Sequence, residues 1–439
     1  MAAISGENTG HISNASNAEL SLNRAADKLN MLARYLSKVP LFSNAIFTQI
    51  KPSVSEQTSA EIYTDLNFEN ECAQQQNSAT TKSRLLTMLV NESGTSGSSY
   101  YIAEASDNPS SPNDLVTRYV VRLLNLNDFP VFNDKREVIS KPSQSFVAHQ
   151  LAQHHQLTNQ LVFCDNNLEI YRYIEGQVTA QFTDKHQIVL PLIHRWHLAS
   201  YACHLAVSSA QNKDDNAPSF LNIKGSSSPL INSSCSEQLL TDFSEILHDD
   251  RCKLNMRGLL EHQLRQLQAL AAGDLFSEHN FQTVLTQIHT VTGFEKQIAD
   301  KAFYLCHGDI NWHNVIVDQH DQPKLIDFEC AVLAPFEYDI AMYIAINDVT
   351  QSELTEVLTW YRVNKPYSTK SAVNLPTLNN ELIQYYLTSC YLLNGLWYLC
   401  QALKFKGSTK RNSLVKSARQ QLSHCQAVEP LISVFNALE

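Results

Sequence analysis

Hydrophobic positions along this chain come first in short runs and later at helical spacing. Residues 1–18 are small and polar and predict a disordered tail. Residues 18–36 carry Leu and Ala at helical spacing and predict an amphipathic helix. A polar, weakly patterned stretch follows over 49–81. The apolar run 85–90 predicts a strand, the Gly/Ser-rich 91–99 a turn, and 100–103 the return strand. Residues 107–114 read as loop. The β-branched run 117–124 predicts a strand, 146–157 a helix, and 168–176 a strand ending at Gly176. Beyond Gly176 the pattern is helical over 188–206, 239–271 and 281–302. It stays so after Asp339, with interruptions at Pro366 and Pro376. Residues 208–236, rich in Asn, Ser, Pro and Asp, predict a flexible insertion.

One strand pair interrupts this helical half. Two short apolar runs, 315–317 and 325–326, flank the polar turn 318–323 and predict a β-hairpin. Asp309 and Asn314 lie just before its first strand, and Asp327 ends its second. The hairpin brings all three toward one sheet edge. That set suits phosphoryl transfer, in which a carboxylate orients the attacking hydroxyl and takes its proton. An amide oxygen and a second carboxylate suit a hard cation such as Mg²⁺. Protein kinases arrange these groups as H-R-D-x-x-x-x-N followed by D-F-G. Here His307-x-Asp309 precedes Asn314 at the same spacing, and Asp327-Phe328-Glu329 stands where D-F-G would.

With Ile326-Asp327-Phe328-Glu329 and Glu337-Tyr338-Asp339-Ile340-Ala341, the segment resembles the aminoglycoside phosphotransferase and choline/thiamine kinase superfamily. The resemblance implies an α+β, bilobal, protein-kinase-like fold with a small β-rich N-lobe over 19–174 and a larger, mostly helical C-lobe over 175–439. Residues 303–329 form the catalytic loop region of that C-lobe. It further implies ATP and Mg²⁺ as cofactors and a small-molecule hydroxyl, which a cationic acceptor would also offer, as the phosphoryl acceptor. Asp309 is the expected base, His307 its supporting catalytic-loop partner, and Asn314, Asp327 and Glu329 the metal ligands. Asp339 orders the loop through backbone N–H groups, since a buried carboxylate needs such partners. Trp312 and His313 are candidates for substrate contact.

Arg122 would take the place of the kinase strand lysine at the nucleotide phosphates, which a guanidinium can grip bidentately; a solvated strand residue is the alternative. In the family its partner is a glutamate on the next helix, for which Gln144, Ser145 and Glu137 are the nearest positions. Tyr173 and Ile174 fall at the hinge, whose backbone meets the adenine. The sequence shows no Gly-rich phosphate loop, and Cys330 stands where choline and thiamine kinases commonly carry Tyr. A catalytically impaired pseudokinase that binds a nucleotide or ligand is therefore a second reading. A metal-dependent hydrolase using His307, Asp309 and His313 is a third. His194, His197 and His204 share a predicted helix, and read as surface or packing residues before metal ligands. The aromatic run in 381–405 reads as core, with a cation–π pocket as the alternative. The last helix, 413–422, is basic and amphipathic.

Composition narrows the partners. The 439 residues allow two or three domains, and a net charge of −11 with no basic run argues against nucleic acid. Ten cysteines without a C-x-x-C pair argue against a zinc site or disulfide framework and read as reduced thiols in a cytoplasmic protein. Residues 1–17 lack signal-peptide character, and no apolar run reaches the ~20 residues of a membrane span. Oligomeric state is left open by the sequence.

Overall fold

The computed structural model describes residues 45–52, 84–91, 99–106, 117–123, 143–164, 168–211, 236–271, 275–294, 298, 301–363, 375–405, 408–425 and 427–438. The helix expected over 18–36, and Glu137, lie outside the described residues. The chain divides into two compact units, Met1–Pro130 with Gln160–Tyr173, and Val131–Asn159 with Ile174–Glu439.

The first unit carries β1 (Ala45–Pro52), β2 (Arg84–Asn91), β3 (Ser99–Ser106) and β4 (Thr117–Leu123). After the helix α1 (Gln144–His154), it adds β5 (Leu161–Cys164) and β6 (Leu168–Arg172). They form one sheet in the order β1-β2-β3-β4-β6-β5, with β1 parallel to β2 and every other pair antiparallel. Tyr119 and Val121 are buried while Arg118 is exposed, the period-two alternation of a half-buried strand. The polar reading of 49–81 overlaps the end of β1, and β5 has no pattern of its own in the sequence. β5 is four residues long, and its state is set by β6 beside it.

Helix α1 begins at the Ser143 cap, whose hydroxyl accepts the Phe146 N–H at 3.1 Å. It stops before the predicted end because Gln156 takes a positive φ of 58°. The expected lobe boundary put this helix with the preceding strands, but its contacts group it with the second unit. Val147, Leu151 and Ala152 are buried in that unit's core.

The second unit is mostly helical. Its elements begin with β7 (Gly176–Val178), α2 (Lys185–Gln211), α3 (Glu237–Leu247), α4 (Met256–Leu270) and α5 (Glu278–Val291). Then come β8 (Tyr304–Cys306), β9 (Val315–Asp318), β10 (Pro323–Leu325) and β11 (Val332–Ala334). The chain closes with α6 (Phe336–Ile346), α7 (Gln351–Val363), α8 (Asn380–Lys404), α9 (Ser408–Ser423) and α10 (Ile432–Leu438). The single helix expected over 239–271 is two: Asp249 caps a 3₁₀ turn, and Asn255 restarts the chain as α4 by accepting the Gly258 N–H at 2.9 Å. Of the insertion expected over 208–236, residues 208–211 continue α2 and Ser236 caps α3.

The predicted hairpin is present, with Val317 opposite Pro323 and Val315 opposite Leu325. β7 adds antiparallel to β9, giving the order β10-β9-β7. β8 and β11 pair antiparallel beside it. Helix α6 is buried from Phe336 to Ala345, its two carboxylates Glu337 and Asp339 included. Trp196, Phe243, Tyr343 and Phe435 are fully buried, each contributing roughly 2–3 kcal/mol of hydrophobic burial. The aromatic run of α8 joins this core: Tyr385, Tyr386 and Tyr391 are buried, and Tyr386 meets Tyr338 edge-on at 5.5 Å. The architecture is α+β, a β-rich unit and a larger helical one, as the sequence reading expects.

Candidate active site

Strand β8 runs straight into His307-Gly308-Asp309, and the chain must turn sharply there. Gly308 makes the turn at φ +77°, where a Cβ would lie 2.3 Å from the Cys330 carbonyl oxygen. Asp309 then faces two amides. Asn314 Nδ2 donates to its Oδ2 at 2.8 Å and to its carbonyl at 3.0 Å. Asn311 Nδ2 donates to its Oδ1 at 3.1 Å. Asn311 Oδ1 in turn accepts the N–H groups of His313, at 2.8 Å, and Asn314, at 3.1 Å. Asn311 carries no signal of its own in the sequence. It sits inside the H-x-D-x-x-x-x-N spacing, where a motif reads any residue as filler.

Burial, with the charge of Asp327 added, pushes the Asp309 carboxyl up to about 6. Asp327 stands at φ 64° in the left-handed region, just past β10. The peptide before it stitches the two halves of the site together. Ile326 N–H donates to the Asn314 carbonyl at 3.0 Å, and Ile326 O accepts from His307 Nε2 at 3.1 Å. His307 Nδ1 accepts the Asp309 N–H at 3.3 Å. This network assigns the neutral tautomer with its proton on Nε2. Full burial lowers the His307 pKa in agreement with a neutral ring. Glu329 lies half-buried on the 3₁₀ turn Phe328–Cys330.

These groups fit a divalent cation. The Asn314 amide turns its N–H groups to Asp309, so its Oδ1 is the atom it can offer a cation. A desolvated carboxylate with a second carboxylate beside it calls for positive charge. Oxygen-only donors suit Mg²⁺. The hydrolase reading fares worse, because both His307 ring nitrogens already have partners. Among the described residues no three His, Cys, Asp or Glu are grouped to hold a metal ion.

A single buried carboxylate anchors the loop. Asp339, in the first turn of α6, accepts the His307 N–H at 2.9 Å and the Gly308 N–H at 2.8 Å. His197 of α2 donates to it from Nε2 at 3.1 Å, and its Nδ1 is hydrogen-bonded to the Tyr361 hydroxyl. Burial alone would raise the Asp339 carboxyl; the His197 ring and the two N–H donors outweigh it and hold it below the usual carboxylate range. Of the three histidines on this helix, His194 and His204 pack against Tyr361 and Tyr304. His197 also stacks on Phe336 at 4.3 Å, besides its two hydrogen bonds. No sequence signal set it apart from its neighbours. Asn347, just past α6, completes the anchor by accepting the Trp312 N–H and donating to the Ile310 carbonyl, both at 2.9 Å. Trp312 carries Lys185 Nζ over its ring at 4.0 Å.

Asp309, His307, Asn314, Asp327 and Glu329 thus lie within the second unit. Arg122 and Tyr173 belong to the first, which ends at Tyr173, and Ile174 begins the longer segment of the second. Arg122 is buried and paired with Glu169 of β6 at 3.3 Å. Tyr173 N–H donates to the Arg118 carbonyl at 3.0 Å.

Residues 246–367 match the family model described as the phosphotransferase enzyme family. No curated protein sequence matches the chain. Among solved structures, ethanolamine kinase from Plasmodium vivax is 13% identical, with 78% of this chain and 82% of that one covered and a TM-score of 0.46. Choline kinase LicA from Streptococcus pneumoniae is 14% identical, with 74% and 90% covered and a TM-score of 0.43. A spectinomycin phosphotransferase, in complex with ADP and spectinomycin, is 12% identical, with 79% and 92% covered and a TM-score of 0.43. Among the described residues no helix is long and apolar enough to cross a membrane.

Proposed function

Because residues 246–367 match the phosphotransferase enzyme family and the loop within them gathers two carboxylates and an amide, we propose that this chain is an ATP- and Mg²⁺-dependent kinase that phosphorylates a hydroxyl of a small molecule. The observation that carries the reading is Asp309, half-buried, held by Asn311 and Asn314, and raised to about 6 by desolvation and by Asp327. A carboxylate with that pKa is ionised at neutral pH yet basic enough to take a hydroxyl proton.

Asp309 orients the acceptor hydroxyl and receives its proton as the new O–P bond forms and the bond to the leaving ADP oxygen breaks. Asn314 Oδ1 and Asp327, with Glu329 beside them, would hold Mg²⁺, which offsets charge on the β- and γ-phosphates when bound. His307 acts as a strut: its two hydrogen bonds tie the Asp309 turn to the Asp327 turn. Asp339 fixes the turn from below. Arg122 meets the nucleotide phosphates, and Tyr173 and Ile174 offer backbone to the adenine. The acceptor is an amino alcohol such as choline, thiamine, or an aminoglycoside-like sugar. The chain works in the cytoplasm.

Thermal shift with ATP, with and without Mg²⁺, tests the site. Wild type gains stability from ATP in the presence of Mg²⁺, and Asp327→Ala loses that gain while its melting without ligand stays measurable. No Mg²⁺-dependent gain in wild type would remove the kinase reading in favour of a fold that keeps the loop without the activity.

A further inference from the structure

We propose that Glu169 is the residue that positions Arg122 for the nucleotide phosphates, from the neighbouring strand rather than from a helix. The inference rests on the kinase reading above. In the β4–β6 register Arg122 stands directly opposite Glu169. Side chains so placed are close enough to pair on one face of a sheet. Arg122 Nη1 reaches Glu169 Oε2 at 3.3 Å, with the two side chains only 3% and 7% exposed. Tyr171 lies two residues along β6, so it shares that face. Its hydroxyl donates to the same Oε2 at 2.6 Å. Burial and the Glu169 charge raise the Tyr171 pKa, so the hydroxyl stays a donor throughout the working range.

Glu169 Oε2 is therefore held by Tyr171 while it meets Arg122 Nη1, and it sets where the Arg122 guanidinium lies. Stability does not account for the arrangement, since a buried ion pair gives little over a well-packed apolar pair. The first turn of α1, where the resemblance places the partner glutamate, holds no acidic residue. Both members of the observed pair ride on inner strands of the sheet, with β3 beside one and β5 beside the other. The pair forms whenever the sheet forms, so the phosphate-binding side chain needs no helix movement to be set in place.

Isothermal titration of Mg·ATP into the full chain tests this. The prediction is that Arg122→Met and Glu169→Gln each weaken ATP binding about tenfold, and that the double variant binds no worse than Arg122→Met alone. Glu169→Asp, which keeps the charge, recovers part of the loss. If Glu169 only screened Arg122 from the phosphates, Glu169→Gln would bind ATP more tightly, because a negative charge has gone. Tighter or unchanged binding by Glu169→Gln, with wild type binding normally, overturns the proposal and leaves the kinase reading intact. Absence of ATP binding by wild type overturns both. Should Glu169→Gln fail to fold, Tyr171→Phe removes the hydroxyl that holds Glu169 and is judged in the same way: weaker binding supports the proposal, unchanged binding overturns it.

Discussion

Replacing Asp309 by Asn should make the protein more stable while it stops turnover. A carboxyl moved from 3.8 to about 6 carries roughly 3 kcal/mol against its ionised form at neutral pH. The amide side chain removes that charge. It keeps one acceptor for the Asn311 and Asn314 amides and loses the other, which costs about 1 kcal/mol. The net gain at pH 7.5 is about 2 kcal/mol. Its pH dependence has a fixed sign. The folded state holds the Asp309 proton more tightly than the unfolded state does. Wild type therefore loses stability from this group as pH rises from about 4 to about 6, and the Asp309→Asn variant, with no proton to release there, has no such loss. The variant's advantage shrinks by about 2 kcal/mol between pH 7.5 and pH 4.5.

Urea unfolding in EDTA, followed by tryptophan fluorescence, measures this. All four tryptophans (Trp196, Trp312, Trp360 and Trp397) lie in the second unit, so the signal reports the unit that holds Asp309. Adding Mg·ATP should narrow the gap, because the ion meets the charge that the variant lacks. A variant less stable than wild type at pH 7.5 would refute the reasoning, as would an advantage that does not change with pH. Either result would mean that Asp309 is not a carboxylate held ionised against its surroundings, and the base assignment would fall with it.

Two further substitutions probe the frame around Asp309. His197→Phe keeps the stack on Phe336 but takes the ring donor from Asp339, and should cost roughly 3 kcal/mol in the same urea assay. A loss no larger than a surface substitution, below about 0.5 kcal/mol, would show that the two backbone N–H groups suffice. Gly308→Ala meets both a positive φ and the Cys330 carbonyl, and should cost at least about 2 kcal/mol and lower turnover. Wild-type stability in that variant would mean the turn can open without consequence.

The sequence made the candidate groups of the site legible and left their support obscure, for a physical reason. Asp309, Asn314 and Asp327 flank one short hairpin, so spacing along the chain nearly fixes their spacing in the fold. The support comes from far along the chain: His197 reaches Asp339 from α2, and Glu169 reaches Arg122 from a strand beyond an intervening helix. Neither partner has a local pattern, since a histidine in an apolar helix and a glutamate in a strand look alike whether they anchor a loop or only face solvent. Strands show the same division. The hairpin 315–325 is readable because its own turn sets its register, whereas the four-residue β5 becomes a strand only beside β6, and β1 pairs in parallel with β2, which no local turn can signal. The long helical reading of 239–271 failed at Asp249 and Asn255, where caps rather than apolar spacing decide the ends. It follows that a motif gives good grounds for the acid, base and metal groups of such a site. The residues that hold their pKa values and angles must be found in the fold, and here they are the ones on which substitution should separate structure from chemistry.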